Sequence, residues 1–266
     1  MQIQVTKRLS HGFANQTSYT WSRAIGNSDG DGIINSRDPN NRALDKALLG
    51  FHRMHNLTSN GTWELPFGPN RRFLSGAGGW VQRLVESWQM GAIFSVSSGS
   101  PLTVTAPVST IWQNSANSTP MLIGTMEDAG EITKVANGVI YFPNLQQVRD
   151  PAFSSLAANV AGSFTNLAIA DANGNLILVN PGPGQVGSLG RNVIEGPGRW
   201  NLDMNLLKRV RIDESRDLEF RVDSSNIMNH ANFGNPNVNI NSSGNFGRIT
   251  SASDGRKFTV SARLNF

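Results

Sequence analysis

The segment Phe258-Thr259-Val260-Ser261-Ala262-Arg263-Leu264-Asn265-Phe266 decides the fold class, because its side chains alternate strictly between apolar and polar. Successive side chains of a β-strand point to opposite faces, so one face of this segment is wholly apolar. That face carries Phe258, Val260, Ala262, Leu264 and Phe266. A barrel strand that crosses a membrane needs about 9–11 residues, with lipid on one face and water on the other. The segment meets this requirement and predicts a membrane-crossing β-strand.

The composition also favours an all-β chain. Charged residues make up only 16% of the sequence, against about 25% in typical soluble domains. Turn-forming residues are abundant, with 27 glycines and many Asn and Ser. This balance is typical of β-strands joined by long loops, and it is not that of a packed α/β enzyme. Because the chain has no cysteine, disulfides, thiol catalysis and cysteine-based zinc sites are excluded.

Charge and hydropathy exclude further classes. The net charge is +4, but the densest basic groups, 71–72 and 208–211, lack the interleaved aromatic residues of a nucleic-acid surface. No apolar run approaches the about 20 residues of a membrane helix. Residues 1–5 lack the basic start and apolar core of a signal peptide. We therefore expect no nucleic-acid partner, and we expect the sequence to be the C-terminal part of a longer, exported protein.

Six more segments read as long strands, in addition to the final strand at 257–266. Their ranges are 2–9, 13–25, 55–67, 88–104, 200–212 and 218–227. In the second, fifth and sixth strands, apolar side chains alternate with polar ones. The dyad repeat of membrane barrel strands is weak in a single strand and informative when it recurs.

The connections between these strands alternate in length. Residues 10–12 and 213–217 are short and 68–87 is of medium length, whereas 26–50, 105–199 and 228–256 are long. Outer-membrane barrels place short turns in the periplasm and long loops outside the cell. In an antiparallel meander of seven strands the first and last run in the same direction, so they cannot close a ring by antiparallel pairing. We therefore predict an all-β fold: an antiparallel up-and-down transmembrane β-barrel segment, about seven strands of a larger barrel, with long extracellular loops.

The medium connection carries a helical signal. Trp80, Leu84 and Trp88 recur every four residues, which predicts a short helix at the membrane interface. An ordinary core helix cap would give the same spacing, so both interpretations stay open.

Short motifs along nearly the whole sequence resemble one family. They include Ser18-Tyr19-Thr20-Trp21-Ser22-Arg23 before an Asp/Asn/Gly loop, and Asn226-Ile227-Met228-Asn229-His230-Ala231-Asn232-Phe233-Gly234. The others are 64–68, 71–74, 88–91, 98–101, 187–192, 196–198 and 246–249. In combination they resemble the barrel of TonB-dependent receptors, and among these the Oar-like outer-membrane proteins with a carboxypeptidase-regulatory-like N-terminal domain.

The resemblance implies a barrel of about 22 strands closed by an N-terminal plug. Substrate would enter from outside the cell, driven by the inner-membrane TonB complex. Residues 1–266 would be the C-terminal portion of that barrel in the cell outer membrane, with the plug and the N-terminal domains absent from this sequence. The implied partners are outer-membrane lipid, an extracellular substrate of unknown identity, and the TonB system through the missing N-terminal part. The barrel assembly machinery would read the terminal strand, with Phe266 last and apolar residues at every second position before it.

The segment 27–38 contains a candidate calcium loop. Asn27, Asp29, Asp31, the Ile33 carbonyl, Asn35 and Asp38 occupy positions 1, 3, 5, 7, 9 and 12 of a calcium-binding pattern. Gly32 stands at the sixth position, where the pattern needs a sharp turn. The loop departs from that pattern because Asp38 replaces the usual bidentate Glu and no flanking helices are predicted. The alternative is a solvated extracellular loop with no cofactor.

Other motifs point to no chemistry. Residues 182–187 match G-x-G-x-x-G, but the following glycines and Pro197 prevent the helix that a dinucleotide site requires. His52 and His55 are spaced so that, on a strand, they face opposite sides. Four charged residues share the polar faces of neighbouring strands, where lumen charge explains them better than catalysis: Asp203, Glu219, Arg221 and Asp223. We expect no catalytic residue and no enzymatic activity.

Two alternatives stay open. One is a soluble extracellular β-rich binding or adhesion module with a calcium loop, and the other is a glycan-active enzyme on a β scaffold. The enzyme lacks an assignable acid and nucleophile. A soluble sandwich would show the same alternation as a barrel, so the environment of the apolar face distinguishes them. Burial of Phe258, Val260 and Leu264 against a second sheet would contradict the membrane hypothesis.

Overall fold

A computed structural model describes residues 1–28, 36–69, 71–76, 78–111, 113–126, 130–155, 157, 159, 167–213, 215–253 and 255–266. Its largest element is a seven-stranded sheet, whose strands we number β1 to β7 in chain order. They are β1 (Gln2–Ser10), β2 (Phe13–Trp21), β3 (His55–Glu64), β4 (Trp88–Ser97), β5 (Arg199–Arg211), β6 (Asp217–Ser225) and β7 (Lys257–Asn265). Each strand pairs antiparallel with the next, which gives an up-and-down meander.

Several strands are shorter than the sequence predicts. β2 ends at Trp21 instead of residue 25, and β4 ends at Ser97 instead of residue 104. The apolar residues beyond these ends belong to other structure, since Ile25 pairs with Leu48, and Leu102 pairs with Ile194. β3 stops at Glu64, shortly before Pro66, which has no backbone N–H for the ladder.

The pairing register sorts the side chains of the sheet into two faces. The face that we call the apolar face carries Ile3, Val5, Phe13, Tyr19, Trp21, Leu57, Trp63, Trp88, Met90, Ala92, Phe94, Val96, Trp200, Leu202, Met204, Leu206, Leu218, Phe220, Val222, Phe258, Val260, Ala262 and Leu264. The opposite face, the polar face, carries Gln2, Gln4, Thr6, Gln16, Ser18, Thr20, Asn56, Thr58, Asn60, Thr62, Gln89, Ser95, Asn201, Asp203, Asn205, Arg209, Glu219, Arg221, Asp223, Thr259, Ser261 and Arg263. The separation has exceptions: Ile93 and Leu207 project from the polar face, and Lys7, Asn15, Thr17, Ser59, Lys208 and Ser224 project from the apolar face.

The two ends of the sheet differ. Residues 22–54, 98–198 and 226–256 leave and re-enter the sheet at one end, which we call the cap end. Residues 11–12, 65–87 and 212–216 connect strands at the other, the turn end. The β1–β2 connection is a two-residue turn in which His11 and Gly12 both have positive φ, of 53° and 76°. Such turns match the right-handed twist of the strands that they join.

The long connections fold together into what we call the cap, the described parts of residues 22–54, 98–198 and 226–256. Its short strands are Ile25–Gly26, Ala47–Leu48, Pro101–Leu102, Met121–Leu122, Thr133–Val135, Gly138–Ile140, Leu145–Arg149, Leu167–Asp171, Leu176–Val179, Ile194–Glu195 and Arg248–Ile249. Three 3-10 helices are also present: Arg42–Asp45, Ser115–Asn117 and Pro151–Ser155. The α-helix α1 (Gly79–Val85) lies outside the cap, in the β3–β4 connection.

The hydrophobic core lies in the cap, not beneath the sheet. Val104, Ile169, Leu178 and Ile240 are fully buried, and the other buried apolar residues of the same cluster also come from the cap. Three long connections contribute to one core or to its hydrogen bonds, so the cap is a folded unit. Among the described residues, no helix is long and apolar enough to cross a membrane.

The sheet is open in the described part of the chain. β1 and β7 lie at its two edges and do not pair with each other, so the predicted barrel wall is not closed into a ring here. Because the meander has an odd number of strands, both edge strands run in the same direction.

Candidate membrane-facing wall and loop cap

In the part of the chain that the structure describes, no second sheet covers the apolar face of β7. The exposed fractions are 58% for Phe258, 74% for Val260, 51% for Leu264 and 95% for Phe266. The register places Phe258, Val260, Ala262 and Leu264 on one face, opposite Ser224, Val222, Phe220 and Leu218 of β6. The burial that would contradict the membrane hypothesis is therefore not found. Whether these residues act as an assembly signal stays a prediction.

Aromatic side chains gather at both ends of the apolar face. Tyr19, Trp21, Trp200 and Phe258 lie near the cap end, and Phe13, Trp63, Trp88 and Phe220 lie near the turn end. Trp88 and Trp200 are eight residues apart in the register of β4 and β5, which corresponds to about 27 Å along a strand. At the about 35–45° tilt of membrane barrel strands, this length corresponds to a height of about 19–22 Å, somewhat less than the about 25 Å apolar band that aromatic girdles flank.

Cationic groups lie beside these aromatic rings. The ammonium groups of Lys7 and Lys208 lie 5.7 Å from the Phe13 ring and 5.4 Å from the Trp88 ring, near the turn end. The Arg256 guanidinium lies 5.4 Å from the Phe258 ring near the cap end. Lys7 and Arg256 are exposed, so their stems can cover the margin of the apolar surface while their charges reach water. Lys208 is buried, and its ammonium donates to the Glu86 carbonyl.

The middle of the apolar face contains a polar cluster on β2 and β3. The Thr17 hydroxyl donates to Asn15 Oδ1 at 3.0 Å, and the Ser59 hydroxyl lies 2.8 Å from Thr17 Oγ1. The Asn15 amide donates to Ser59 Oγ at 3.1 Å and to the Asn60 carbonyl at 3.0 Å. These polar groups satisfy one another, as a lipid-facing surface requires.

The polar face is charged on β5 to β7 and mostly neutral on β1 to β4. Arg209 Nε donates to Glu219 at 3.0 Å, and Glu219 is also registered opposite Arg263. Arg221 binds both carboxylate oxygens of Asp223 at 2.7–2.9 Å. The four charged residues that the sequence places on one face do share it: Asp203, Glu219, Arg221 and Asp223.

Asp203, the remaining residue predicted to face a lumen, is held in place by two donors. Its carboxylate accepts from the Asn201 amide at 2.7 Å and from the Asn226 N–H at 2.8 Å. With Arg221 bound to Asp223 and Arg209 bound to Glu219, each of these carboxylates has a structural partner. These carboxylates belong to a hydrogen-bonded polar surface, and their structural partners are enough to account for the charges without a catalytic role.

Arg37 joins the first and second long connections. Its guanidinium is buried and donates to the Leu189 carbonyl at 2.6 Å, to Thr119 Oγ1 at 3.1 Å and to the Gly187 carbonyl at 3.4 Å. It also donates to the Leu44 carbonyl. Burial lowers the pKa of Arg37, and the nearby Asp45 carboxylate opposes this effect. No sequence signal marks Arg37, because its partners lie far away along the chain.

The third long connection is tied to both the cap and the sheet. The Thr105 N–H donates to the Val238 carbonyl at 3.0 Å, and the Ile240 N–H donates to the Thr105 carbonyl at 3.0 Å. Asn232 binds both backbone groups of Trp200: it accepts from the N–H at 2.8 Å and donates to the carbonyl at 2.9 Å. The Trp200 ring also stacks on His230 with centroids 4.2 Å apart. These contacts fix the cap on the strand ends.

Most of the candidate calcium loop lies outside the described residues, namely Asp29, Asp31, Gly32, Ile33 and Asn35. Asn27 and Asp38 are described, and Asp38 Oδ1 accepts the Asn40 N–H at 2.8 Å. Within the described ranges no group of three or more His, Asp or Glu residues could hold a metal. Calcium binding by Asn27, Asp29, Asp31, Asn35 and Asp38 stays a prediction.

The two histidines occupy separate environments. His52 precedes β3 instead of lying on it; it is buried, and its Nδ1 accepts the Ala24 N–H at 3.2 Å. His55 begins β3, and its Nδ1 lies 2.7 Å from the Tyr19 hydroxyl. The sequence argument placed both histidines on one strand, and this was wrong because only His55 belongs to a strand.

The glycine motif at 182–187 has a packing role. A Cβ on Gly187 would lie 1.8 Å from the Thr119 carbonyl oxygen, so only glycine fits against that backbone. No helix begins in this motif, and the Gly182 N–H instead donates to the Gln185 side chain at 3.0 Å. Close backbone approach in the cap therefore accounts for at least one of the glycines.

Comparison with known proteins adds one match. The family described as "Outer membrane beta barrel domain" matches residues 1–259, which is almost the whole chain. No curated protein and no solved structure matches the chain.

Proposed function

Because the chain belongs to the outer membrane beta barrel domain family and is therefore an outer-membrane protein, we propose that it forms part of the wall of a TonB-dependent transporter. In this proposal the protein takes up a substrate of unidentified class from outside the cell. It acts by binding and passage, without catalysis and without a resident cofactor.

The uncovered apolar face is the observation that carries the proposal. Soluble proteins seldom leave a contiguous apolar surface of this size in water. Here a row of exposed apolar side chains continues across the sheet from Ile3 and Val5 of β1 to Val260 and Leu264 of β7. The same strands turn most of their hydrogen-bonding and charged groups to the other side. Lipid against the apolar face and a water-filled lumen against the polar face would suit the side chains of both.

The lengths of the connections support an orientation. Membrane barrels keep short turns in the periplasm and long loops outside the cell. The cap would then be extracellular, and the turn end, with Phe266, would face the periplasm. The folded cap offers a fixed surface on which a substrate could be recognised before it passes into the lumen.

The two open edges indicate how this wall would be completed. Unpaired strand edges are too costly to leave exposed in lipid. Because β1 and β7 run in the same direction, antiparallel closure requires an odd number of additional strands between them. We propose that the rest of the same protein supplies them, together with the plug and the segment that contacts TonB.

The soluble binding module is the weaker alternative. It would require a partner layer over the apolar face, and the described residues supply none. Membership of an outer-membrane family also favours a membrane wall over a soluble module.

Transport can be tested in cells that carry the intact protein. Solutes lost from the medium would be compared between cells with the protein, cells without it, and cells that also lack TonB. We expect uptake of at least one solute that requires both the protein and TonB. Uptake that persists without TonB would contradict TonB dependence, and a protein recovered in the soluble fraction would contradict the membrane wall.

A further inference from the structure

The β3–β4 connection, residues 65–87, exposes apolar and basic side chains together at the turn end of the sheet. On α1, Trp80 and Leu84 are 76% and 58% exposed, and Arg83 lies between them on the outward side. Val81, Gln82 and Val85 are half-buried and face inward. A surface helix in water normally turns its polar side outward. The outward side of α1 is instead suited to an environment that is partly apolar.

The segment before α1 has the same character. Phe73 and Leu74 are about half exposed, and the Arg72 guanidinium lies 5.7 Å from the Phe73 ring. Exposed apolar and basic groups therefore lie next to each other in both parts of the connection. Aromatic residues beside basic ones are the side chains that the membrane–water interface favours.

The connection is attached to the apolar face at its turn end. The Trp88 indole donates to the Leu84 carbonyl at 2.9 Å, and the Lys208 ammonium donates to the Glu86 carbonyl. Trp88 and Lys208 are paired in the register and both project from the apolar face. The surface of α1 is thus continuous with the band that the proposed function places in lipid.

The charges of this segment would suit an anionic partner. Arg71 is paired with Glu64 at 2.7 Å. Within the described ranges, Arg72 and Arg83 form no ion pair with a carboxylate. Arg83 Nη1 donates to the Arg211 carbonyl at 2.5 Å, so its remaining N–H groups are the ones that would meet a phosphate. Arginine binds phosphate through several N–H donors held in one plane, and can do so at the headgroup level of a bilayer.

We propose that the β3–β4 connection is a lipid-binding segment that lies in the periplasmic leaflet of the outer membrane. Trp80, Leu84, Phe73 and Leu74 insert at the level of the headgroups and the first acyl carbons. Arg72 and Arg83 bind the phosphates of anionic phospholipids. The inference rests on the proposed function for the lipid-facing side and the orientation of the sheet.

The depth of α1 can be measured with spin labels, since the chain has no native cysteine. The single variants Leu84→Cys, Val260→Cys and Phe51→Cys would each carry a nitroxide spin label on the new cysteine, in protein inserted in phospholipid vesicles. For each label, the collision rate with oxygen, which concentrates in lipid, would be compared with that of a nickel chelate, which stays in water. We expect lipid depth at Val260, interfacial depth at Leu84 and full water exposure at Phe51 of the cap. A water-exposed label at 84 with a lipid-buried label at 260 would overturn the segment and leave the wall intact. Water exposure at both would overturn the wall itself.

The choice of lipid is tested separately. The double variant Arg72→Gln/Arg83→Gln would be compared with Lys134→Gln/Arg149→Gln, a matched loss of two exposed charges in the cap. Binding of spin-labelled phosphatidylglycerol relative to phosphatidylcholine should fall by up to about fivefold per arginine in the first variant. It should stay unchanged in the second. Equal preference in the parent and both variants would overturn the role of the arginines. A label at 84 that is shielded from oxygen and nickel alike would identify a protein partner instead of lipid.

Discussion

The Arg37 guanidinium and the Asp45 carboxylate are both buried and lie 3.9 Å apart, between Nε and Oδ1. Asp45 also accepts the Ser36 hydroxyl at 2.6 Å and the Arg37 N–H at 3.1 Å. The pair sits where the first long connection meets the second, so that one charged cluster holds two loops of the cap together.

Replacing Arg37 should loosen the cap without affecting the sheet. Removing one partner of a buried pair leaves the other charge uncompensated, which costs about 3–5 kcal/mol. We expect Arg37→Ala to speed proteolysis in the cap, whereas Arg42→Ala, an exposed neighbour, should not. Equal proteolysis of the two variants would contradict this role.

The Arg37 pair should be insensitive to pH in the physiological range. Burial lowers the pKa of Arg37 from its ordinary value. For a base whose folded pKa is lowered, stability is gained as pH rises through the lowered pKa, and an arginine side chain stays protonated in proteins at physiological pH. Cap stability at Arg37 is therefore expected to be constant between about pH 5 and 8. A transition in that range that Arg37→Ala abolishes would be inconsistent with this assignment.

The cap turn at Asp171 should weaken in acid. Its carboxylate accepts the N–H groups of Asn173 and Asn175 at 2.8 Å and the Asn175 amide at 2.9 Å. The Asn175 side chain, and then backbone donors, hold the pKa of Asp171 below its ordinary value. Stability from this group is thus present above the ordinary Asp pKa and is lost as pH falls through the lowered one.

Hydrogen exchange at Asn173 and Asn175 would check the turn. We expect their protection to fall in acid in the parent chain, and to be low at every pH in Asp171→Ala. Protection that does not depend on pH in the parent would argue against the ionised carboxylate as the organiser of this turn.

The terminal strand provides a test of assembly. If Phe266 and the alternate apolar residues before it are read by the assembly machinery, Phe266→Ala should reduce the fraction of protein inserted in the outer membrane several-fold. Asn265→Ala, on the polar face, should have little effect. Comparable insertion of both variants would show that these residues serve only the folded strand.

Calcium binding is checked by titration calorimetry. If residues 27–38 bind calcium, the parent chain should give a heat of binding that Asp31→Ala abolishes, since oxygen ligands at alternate positions share one cation. Identical titrations would end the calcium hypothesis.

The strands were predictable and the cap was not. The strict alternation at 258–266 and the polar faces of β5 and β6 depend on local period alone, so sequence placed them well. Trp80 and Leu84 likewise indicated a helix, which the structure shows at Gly79–Val85. The helix is confirmed, and its lipid contact stays a prediction. The structure is mostly β, as predicted, and the outer-membrane location is confirmed, whereas closure into a barrel and TonB dependence stay proposals.

The core of the cap depends on contacts between residues far apart in the chain. The run Leu176–Val179 is apolar in sequence, but nothing local shows that Leu178 packs in a core with Val104 and Ile240. Arg37 and Gly187 are similar cases, because their partners are backbone carbonyls of distant loops. Periodicity cannot report such contacts.

The most direct test of the membrane-facing wall compares two neighbouring residues of β7. Val260 lies on the apolar face, and Ser261 lies on the polar face. An arginine on the lipid side of a barrel strand costs about 2–4 kcal/mol near the middle of the bilayer. Val260→Arg should therefore lower the free energy of unfolding in phospholipid vesicles by about that amount, and Ser261→Arg should leave it nearly unchanged. Equal losses, or a larger loss for Ser261→Arg, would mean that lipid does not lie against this face.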